Sequence, residues 1–428
     1  MKIVKPSTIA GVMELLPEDQ LAFDNMKNII EETFKKFQFL PIDTPVIEKN
    51  EILFAKGGGE TEKQIYEIAS ETRDMSLRFD LTVPLARFVS EHFADLNFPF
   101  KRYHIAKVYR GERNQKGRYR EFYQCDIDII GHNKLDIAND AIPPRVIYEI
   151  FNKLDTPDVT FRINNRKLLN GFLLALDIED TTDILRLIDK KDKIGLEKTK
   201  EELLDLVSID KAEKILGFID SSLANEDLLN KLDDFADNDL YKEGLDELKK
   251  VYSYMIHFGV PDNNIKIDPS ITRGLDYYTG TVYETFINGY EKIGSVSSGG
   301  RYEKLAENFS KQSLPGVGMS IGLTRLFYQL KEIGLINKKE SRLTDILIIP
   351  MGDEEKFYGI DILNKLHESG KRADIYLEGG KLKKKFSYAD KVGVKYAYII
   401  GQSEREEKKV SIRNMETGDQ ELVDFASL

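Results

Sequence analysis

Two stretches, KRYHIAKVYR at 101–110 and REFYQCDIDII at 120–130, decide the fold. Each changes side-chain character residue by residue, as an extended strand does, and a short basic segment, 111–119, joins them. Alternation of period two on both sides of a polar connection predicts a long antiparallel hairpin with a charged tip. From Arg110 to Arg120 there are five cations in eleven residues, with Tyr119 and Phe122 beside them. Arginine's planar fork can donate two hydrogen bonds at once to a phosphate, and an adjacent ring can stack on a base. The same composition would also serve a solvated hairpin tip.

On the N-terminal side, residues 19–37 carry apolar side chains at helical spacing (Leu21, Phe23, Met26, Ile29, Ile30, Phe34), and 39–48 reads as extended chain broken by Pro41 and Pro45. On the C-terminal side, 165–255 is rich in Leu, Lys and Asp, free of proline and helical in period (Leu203, Leu206, Val207; Ile215, Leu216, Ile219), which predicts a separate α-helical insertion. Strand signals and glycines return at 281–287, 297–302 and 316–326. Residues 343–428 then alternate strand (345–349), helix (354–368), strand (373–376), helix (382–392) and strand (396–400), the pattern of a small α/β domain. The expected partition is 1–164 and 256–336 for a core, 165–255 for the insertion and 343–428 for the last domain, with 338–343 as linker.

Bulk properties narrow the class. The 428 residues are 41% hydrophobic and 32% charged, with no apolar run long enough to span a bilayer. Residues 1–16 do not read as a secretory signal. The single cysteine, Cys125, excludes an internal disulfide and a multi-cysteine zinc site. A cytoplasmic location and no membrane partner are expected. The net charge of −11 does not rule out nucleic acid, because the field over one face matters more than the sum.

Other clusters could carry chemistry. Arg273-Gly-Leu-Asp276-Tyr277-Tyr278 leads into a strand, so its phenols could anchor a small polar ligand or pack in a core. Ser298-Gly299-Gly300-Arg301-Tyr302 would let backbone approach a ligand, or be an ordinary turn. Gly316 to Leu326 reads as a glycine-rich strand entering a helix that bears Arg325, and close packing alone would explain its glycines. Asp80 and Thr82, two apart, would share one face of a strand and could hold an amino group, although Asp and Thr before Pro84 also make turns. No P-loop is present, and the five histidines show no metal spacing. Positioning and charge stabilisation, rather than a protein nucleophile, is the chemistry suggested.

In this order, the segments resemble class II aminoacyl-tRNA synthetases. Pro45-Val-Ile-Glu48, 110–128 and 316–326 resemble the three class motifs, and Arg273-Gly-Leu-Asp-Tyr-Tyr with Ser298-Gly-Gly-Arg-Tyr-Glu resembles the motifs of the histidyl-tRNA synthetase family. The resemblance implies an α+β fold: a mostly antiparallel sheet flanked by helices, with a helical insertion and a C-terminal anticodon-binding α/β domain. It also implies activation of L-histidine with ATP and Mg²⁺, transfer to tRNA(His), and a homodimer. Residue by residue, it assigns histidine binding to Asp80, Leu81, Thr82, Arg110, Gln124, Asp128, Arg273, Tyr277 and Tyr278, the α-amino group falling to Asp80, Thr82 and Gln124 and the imidazole to Asp128 and Tyr278. It assigns ATP to Arg110, Glu112, Arg118, Phe122 and Arg325, with Phe122 and Arg325 enclosing adenine, and catalytic charge to Arg110, Arg273 and Arg325. No protein ligand for a metal is implied. Many bacterial members have Glu-Gly-Thr where this chain has Asp80-Leu-Thr, a carboxylate one methylene shorter. The insertion would clamp the acceptor arm, and Lys381, Lys383, Lys384 and Lys385 would offer a basic face, or a merely solvated one, to the anticodon stem. A non-catalytic histidine-sensing paralogue, the regulatory subunit of ATP phosphoribosyltransferase, is the competing expectation; a class II synthetase for another amino acid is a second.

Overall fold

The computed structural model describes residues 3–55, 62–70, 72–112, 117–178, 180–272, 278–304, 306–336 and 344–428. The chain forms two compact units, Met1–Glu14 with Met26–Ile336 and Leu15–Asn25 with Asn337–Leu428.

The first unit is built on an eight-stranded sheet. In chain order its strands are β1 (Leu40–Pro41), β4 (Phe100–Tyr109), β5 (Glu121–Ile130), β6 (Val159–Asn165), β7 (Ile265–Ile267), β8 (Thr281–Ile287), β9 (Ser297–Tyr302) and β10 (Gly316–Ile321), arranged β1-β4-β5-β10-β9-β8-β6-β7. The six central strands are antiparallel and only the two edges pair in parallel. A separate ribbon joins β2 (Ile47–Lys49) to β3 (Met75–Leu77). The 101–130 hairpin forms as expected, and its register sets Arg102 opposite Asp128, His104 opposite Asp126 and Val108 opposite Phe122. Side chains on β5 separate by parity: Cys125, Ile127 and Ile129 are fully buried against the core, while Phe122, Gln124, Asp126 and Asp128 face the other way.

Residues 166–257 are helical: Arg166–Ala175, Thr182–Ile194, Leu196–Leu204, Ile209–Phe218, Asn225–Leu232 and Asp239–His257. The first and last cross at Gly171 and Gly244, where an added Cβ would lie 2.5 Å from the Tyr241 backbone and 2.2 Å from that of Leu168. Phe172 and Phe218 stack at 4.0 Å inside this layer.

The second unit carries a five-stranded sheet. Strands β11 (Ile346–Pro350), β12 (Ala373–Ile375) and β13 (Tyr396–Ile400) are parallel, with helices Asp353–Glu368 and Leu382–Val392 as crossovers. All of β11 is buried, with Ile346 and Ile348 in one apolar cluster and Leu347 and Ile349 in the other, the continuous apolar run of a parallel strand covered on both faces. The hairpin of β14 (Lys409–Asn414) and β15 (Gln420–Asp424) extends the sheet, and periodicity did not predict it. One expectation is corrected here. Lys385 is 4% exposed and its Nζ donates to the Pro350 carbonyl at 2.5 Å, so it belongs to the core rather than to a basic face; Lys381, Lys383 and Lys384 are exposed.

Candidate active site

A cavity of about 810 Å³ opens over the polar face of β5, β9 and β10, a size ordinary for a small-molecule site. Its floor is acidic. Asp80, Asp126 and Asp128 line it together, with Gln124, Tyr302 and Ser320. Burial pushes the carboxyls of Asp80 and Asp126 up, and pushes Asp128 up to about 7, with Arg102 pulling against burial and Asp126 adding to it. Asp128 is held on both oxygens: Arg102 Nη2 lies 2.5 Å from Oδ2, and the Tyr302 hydroxyl donates to Oδ1 at 2.8 Å. Gly318, which faces Asp128 across the β5–β10 pair, leaves the space for that carboxylate; a Cβ there would lie 2.1 Å from Oδ1.

The strand reading of Asp80 and Thr82 is corrected. Strand β3 ends at Leu77, and Thr82 opens helix Thr82–Glu91, which carries Pro84 in the first turn, where a missing N–H costs nothing. Asp80 Oδ1 accepts the Val83 N–H at 3.1 Å, so it restrains the helix start while still lining the cavity, as Thr82 does. Leu81 is different: it is fully buried in a cluster with Ala106 and Val108, and its side chain is not part of the cavity wall.

The other end of the cavity is cationic and aromatic. Arg110, the residue after β4, lies 4.4 Å from the centre of the Phe79 ring and 5.0 Å from that of Phe122, and donates to the Phe79 carbonyl and to Gln124 Oε1, both at 3.2 Å. Gln124 in turn donates to Ser320 Oγ at 3.0 Å and to Asp126 at 3.4 Å. Arg118 pairs with Glu112 at 3.4 Å. Arg325, in the first turn of helix Leu323–Glu332, lines the same wall and donates to the Ile293 carbonyl at 3.1 Å.

A sequence model described as "Histidyl-tRNA synthetase" matches residues 11–326, close to three quarters of the chain. The chain belongs to the histidyl-tRNA synthetase family. A second model, "Anticodon binding domain", matches residues 345–428. The chain is 57% identical over 422 residues to a histidine–tRNA ligase of Clostridium tetani (strain Massachusetts / E88), covering 98% of this chain and 96% of that one. Among solved structures, a histidyl-tRNA synthetase from Nostoc sp. PCC 7120 superposes with a TM-score of 0.90 at 36% identity, covering 99% and 97% of the two chains. An ATP phosphoribosyltransferase regulatory subunit/histidyl-tRNA synthetase from Bacillus halodurans C shares the fold, with a TM-score of 0.76 at 20% identity, over 90% and 97%.

Of the residues named from the family motifs, Asp80, Thr82, Arg110, Glu112, Arg118, Phe122, Gln124, Asp128, Tyr278 and Arg325 line the one cavity. Arg273 and Tyr277 lie outside the described residues. Sequence reasoning gave no role to Arg102, Asp126 or Ser320, and named Tyr302 only within the Ser298–Tyr302 segment. Pairing the hairpin residue by residue inward from its tip would have put Arg102 beside Asp128, and the parity of β5 would have put Asp126 next to it.

Proposed function

We propose that the chain is a histidine–tRNA ligase, which forms histidyl-adenylate from L-histidine and ATP and then transfers histidine to the 3′ end of tRNA(His). The observation that carries this reading is that one cavity is lined by both kinds of group: Asp126 and Asp128 along β5, and Phe122 with Arg110 toward the hairpin tip, together with Arg118 and Arg325. An amino acid with a cationic ammonium and an N–H-bearing ring suits the acidic floor. A nucleotide suits the far wall. Between them a carboxylate must attack an α-phosphate, two anions whose repulsion cationic groups offset where charge builds up. The carboxylate is already ionised at neutral pH, so no general base is needed.

Within this reading, Asp80, Thr82 and Gln124 receive the ammonium, Asp128 and Tyr278 grip the imidazole, and Arg110 with Arg273 flanks the phosphate. Phe122 and Arg325 hold the adenine, and Glu112 with Arg118 steadies the nucleotide. A site built on hydrogen bonds rejects analogues lacking them by about 10⁴–10⁵, which leaves the helices of 165–255 to the acceptor arm rather than to editing. Mg²⁺ is expected with the nucleotide; among the described residues no group of three His, Cys, Asp or Glu side chains is placed to cage a metal. A homodimer in the cytoplasm completes the proposal; among the described residues no helix is long and apolar enough to cross a membrane. The regulatory-subunit reading is disfavoured because Arg110, Arg118 and Arg325 all line the cavity. ATP–pyrophosphate exchange measured with each standard amino acid tests the proposal: exchange with histidine alone is expected, and none with histidine overturns it.

Three results should follow. Gly318→Ala places a methyl group on the Asp128 carboxylate, so it should raise the histidine KM at least about tenfold, the cost of one lost hydrogen bond to a charged group, with ATP much less affected; equal effects on both substrates would contradict the geometry. Because burial pushes Asp128 up to about 7 and an ionised carboxylate accepts an N–H more strongly than a neutral carboxyl does, the histidine KM should climb as pH falls below 7, by up to about tenfold per unit, whereas a flat profile between pH 5.5 and 8 would count against it as the acceptor. Removing 343–428 should spare exchange but slow tRNA charging, and steady-state charging at the full-length rate would refute the anticodon role.

A further inference from the structure

Arg102 is fully buried, yet it is not part of the cavity wall. It sits on β4 directly opposite Asp128, and its ion pair with that residue is its one contact with a carboxylate among the described residues. None of its three nitrogens makes a hydrogen bond among the described residues, so the tie to Asp128 is an ion pair. A core that merely needed filling would be served as well or better by an apolar side chain, since desolvating a guanidinium is expensive. What the charge does have is three acids in reach: the buried Asp128 on β5 directly, the buried Asp126 on the same strand, and the half-buried Asp80 ahead of helix Thr82–Glu91. The Tyr302 hydroxyl on β9 also holds Asp128, and His104, two residues along β4 from Arg102, is turned toward Asp43, with its Nε2 3.0 Å from the carboxylate.

We propose that Arg102 is the positioning residue of the imidazole subsite: from the neighbouring strand, beside Asp128 on the same sheet face, it holds one oxygen of that carboxylate in an ion pair while Tyr302 holds the other, and it supplies the counter-charge that keeps this carboxylate an acceptor for an imidazole N–H. The assignment rests on the reading of Asp128 as the imidazole partner. Arg102 touches no substrate. It acts through the rotamer and the charge of Asp128, so its removal should look like removal of Asp128, except where pH can restore the charge.

The test compares wild type, Arg102→Met, Arg102→Lys, Asp128→Asn and the Arg102→Met/Asp128→Asn double variant of the full chain in histidine-dependent ATP–pyrophosphate exchange from pH 6.5 to 8.5, each expressed relative to wild type at the same pH. At pH 7, Arg102→Met should raise the histidine KM about 10²-fold, the usual scale for losing one partner of a buried charge pair, with the ATP KM little changed. That loss should shrink as pH rises and Asp128 ionises unaided; the loss in Asp128→Asn should not. The double variant should be no worse than Asp128→Asn alone. Arg102→Lys should keep most affinity, with the midpoint of its pH profile moved upward, and carries the test if Arg102→Met does not fold by circular dichroism. An unchanged histidine KM in Arg102→Met, a loss that pH does not move, or a double variant that multiplies the single losses overturns the assignment; so does an unmoved midpoint in Arg102→Lys when that variant carries the test. Failure of wild type to exchange with histidine would instead overturn the functional reading itself.

Discussion

Replacing Arg110 by methionine should lower histidine-dependent ATP–pyrophosphate exchange by about 10²–10³-fold, mainly in kcat, the scale seen when one preorganised donor is taken from a developing oxyanion. Arg110 is placed for this by packing rather than by ion pairing: its guanidinium lies against Phe79 and Phe122 and is oriented by the Phe79 carbonyl and Gln124. Held this way, it pays little reorganisation when phosphate charge develops beside it. Methionine keeps an aliphatic stem between the two rings, so the hairpin should hold and thermal unfolding should move little. Lysine restores the charge but not the fork, and should recover only a small part of the rate. Exchange at the wild-type rate in Arg110→Met would show that the phosphate charge is met elsewhere.

The second large effect concerns stability. Arg301→Met should cost about 3–5 kcal/mol, the range for breaking a buried ion pair from one side. Arg301 donates to both oxygens of Asp140, through Nε at 3.0 and 3.1 Å and Nη2 at 2.7 Å, and also to the Leu135 carbonyl at 3.0 Å. Thr281 donates to the same carboxylate at 2.7 Å, and Tyr283 to the Asp140 carbonyl at 2.7 Å. Asp140 is fully buried, so removing the guanidinium strands a carboxylate without its counter-charge. Arg301 alternates on β9 with the cavity-lining Ser298 and Tyr302, so the pair lies on the face away from the cavity. It therefore holds the wall without touching ligand. Denaturant unfolding should show the loss, and Arg301→Met/Asp140→Leu should recover part of it. A single variant with a wild-type unfolding midpoint would mean that Asp140 is satisfied by its other donors.

Much of this architecture could be read before any coordinates, because it is written in periodicity. Strands β4 and β5, the helical stretch after 165 and the alternating elements after 343 each announce themselves through spacing. What could not be read depends on what covers a face. Lys381 and Lys385 share a helix side by count, but that side meets the end of β11 at Lys385, and no helical wheel contains Pro350. Asp80 and Thr82 reach the same cavity by a route other than a shared strand face: the chain turns after Leu77 and starts a helix, which a window of alternating residues cannot separate from a continuing strand. Arg102 gave no local signal, since its meaning comes from a residue 26 positions away across the hairpin. Leu81 sits between Asp80 and Thr82 in the family motif, but its side chain packs with Ala106 and Val108, a burial that depends on β4 and not on its own neighbours.

The two-residue phase of β5 has a consequence for how this site can change over generations. Phe122, Gln124, Asp126 and Asp128 face the cavity only because each is offset from the next by one full pleat, with Cys125, Ile127 and Ile129 interleaved toward the interior. Loss or gain of a single codon within this stretch would swap the two sets at once, sending carboxylates inward and presenting aliphatic groups to the cavity. Drift in substrate choice is therefore open to replacement in place and closed to slippage. A deletion scan along the strand should give all-or-nothing results where a substitution scan gives graded ones.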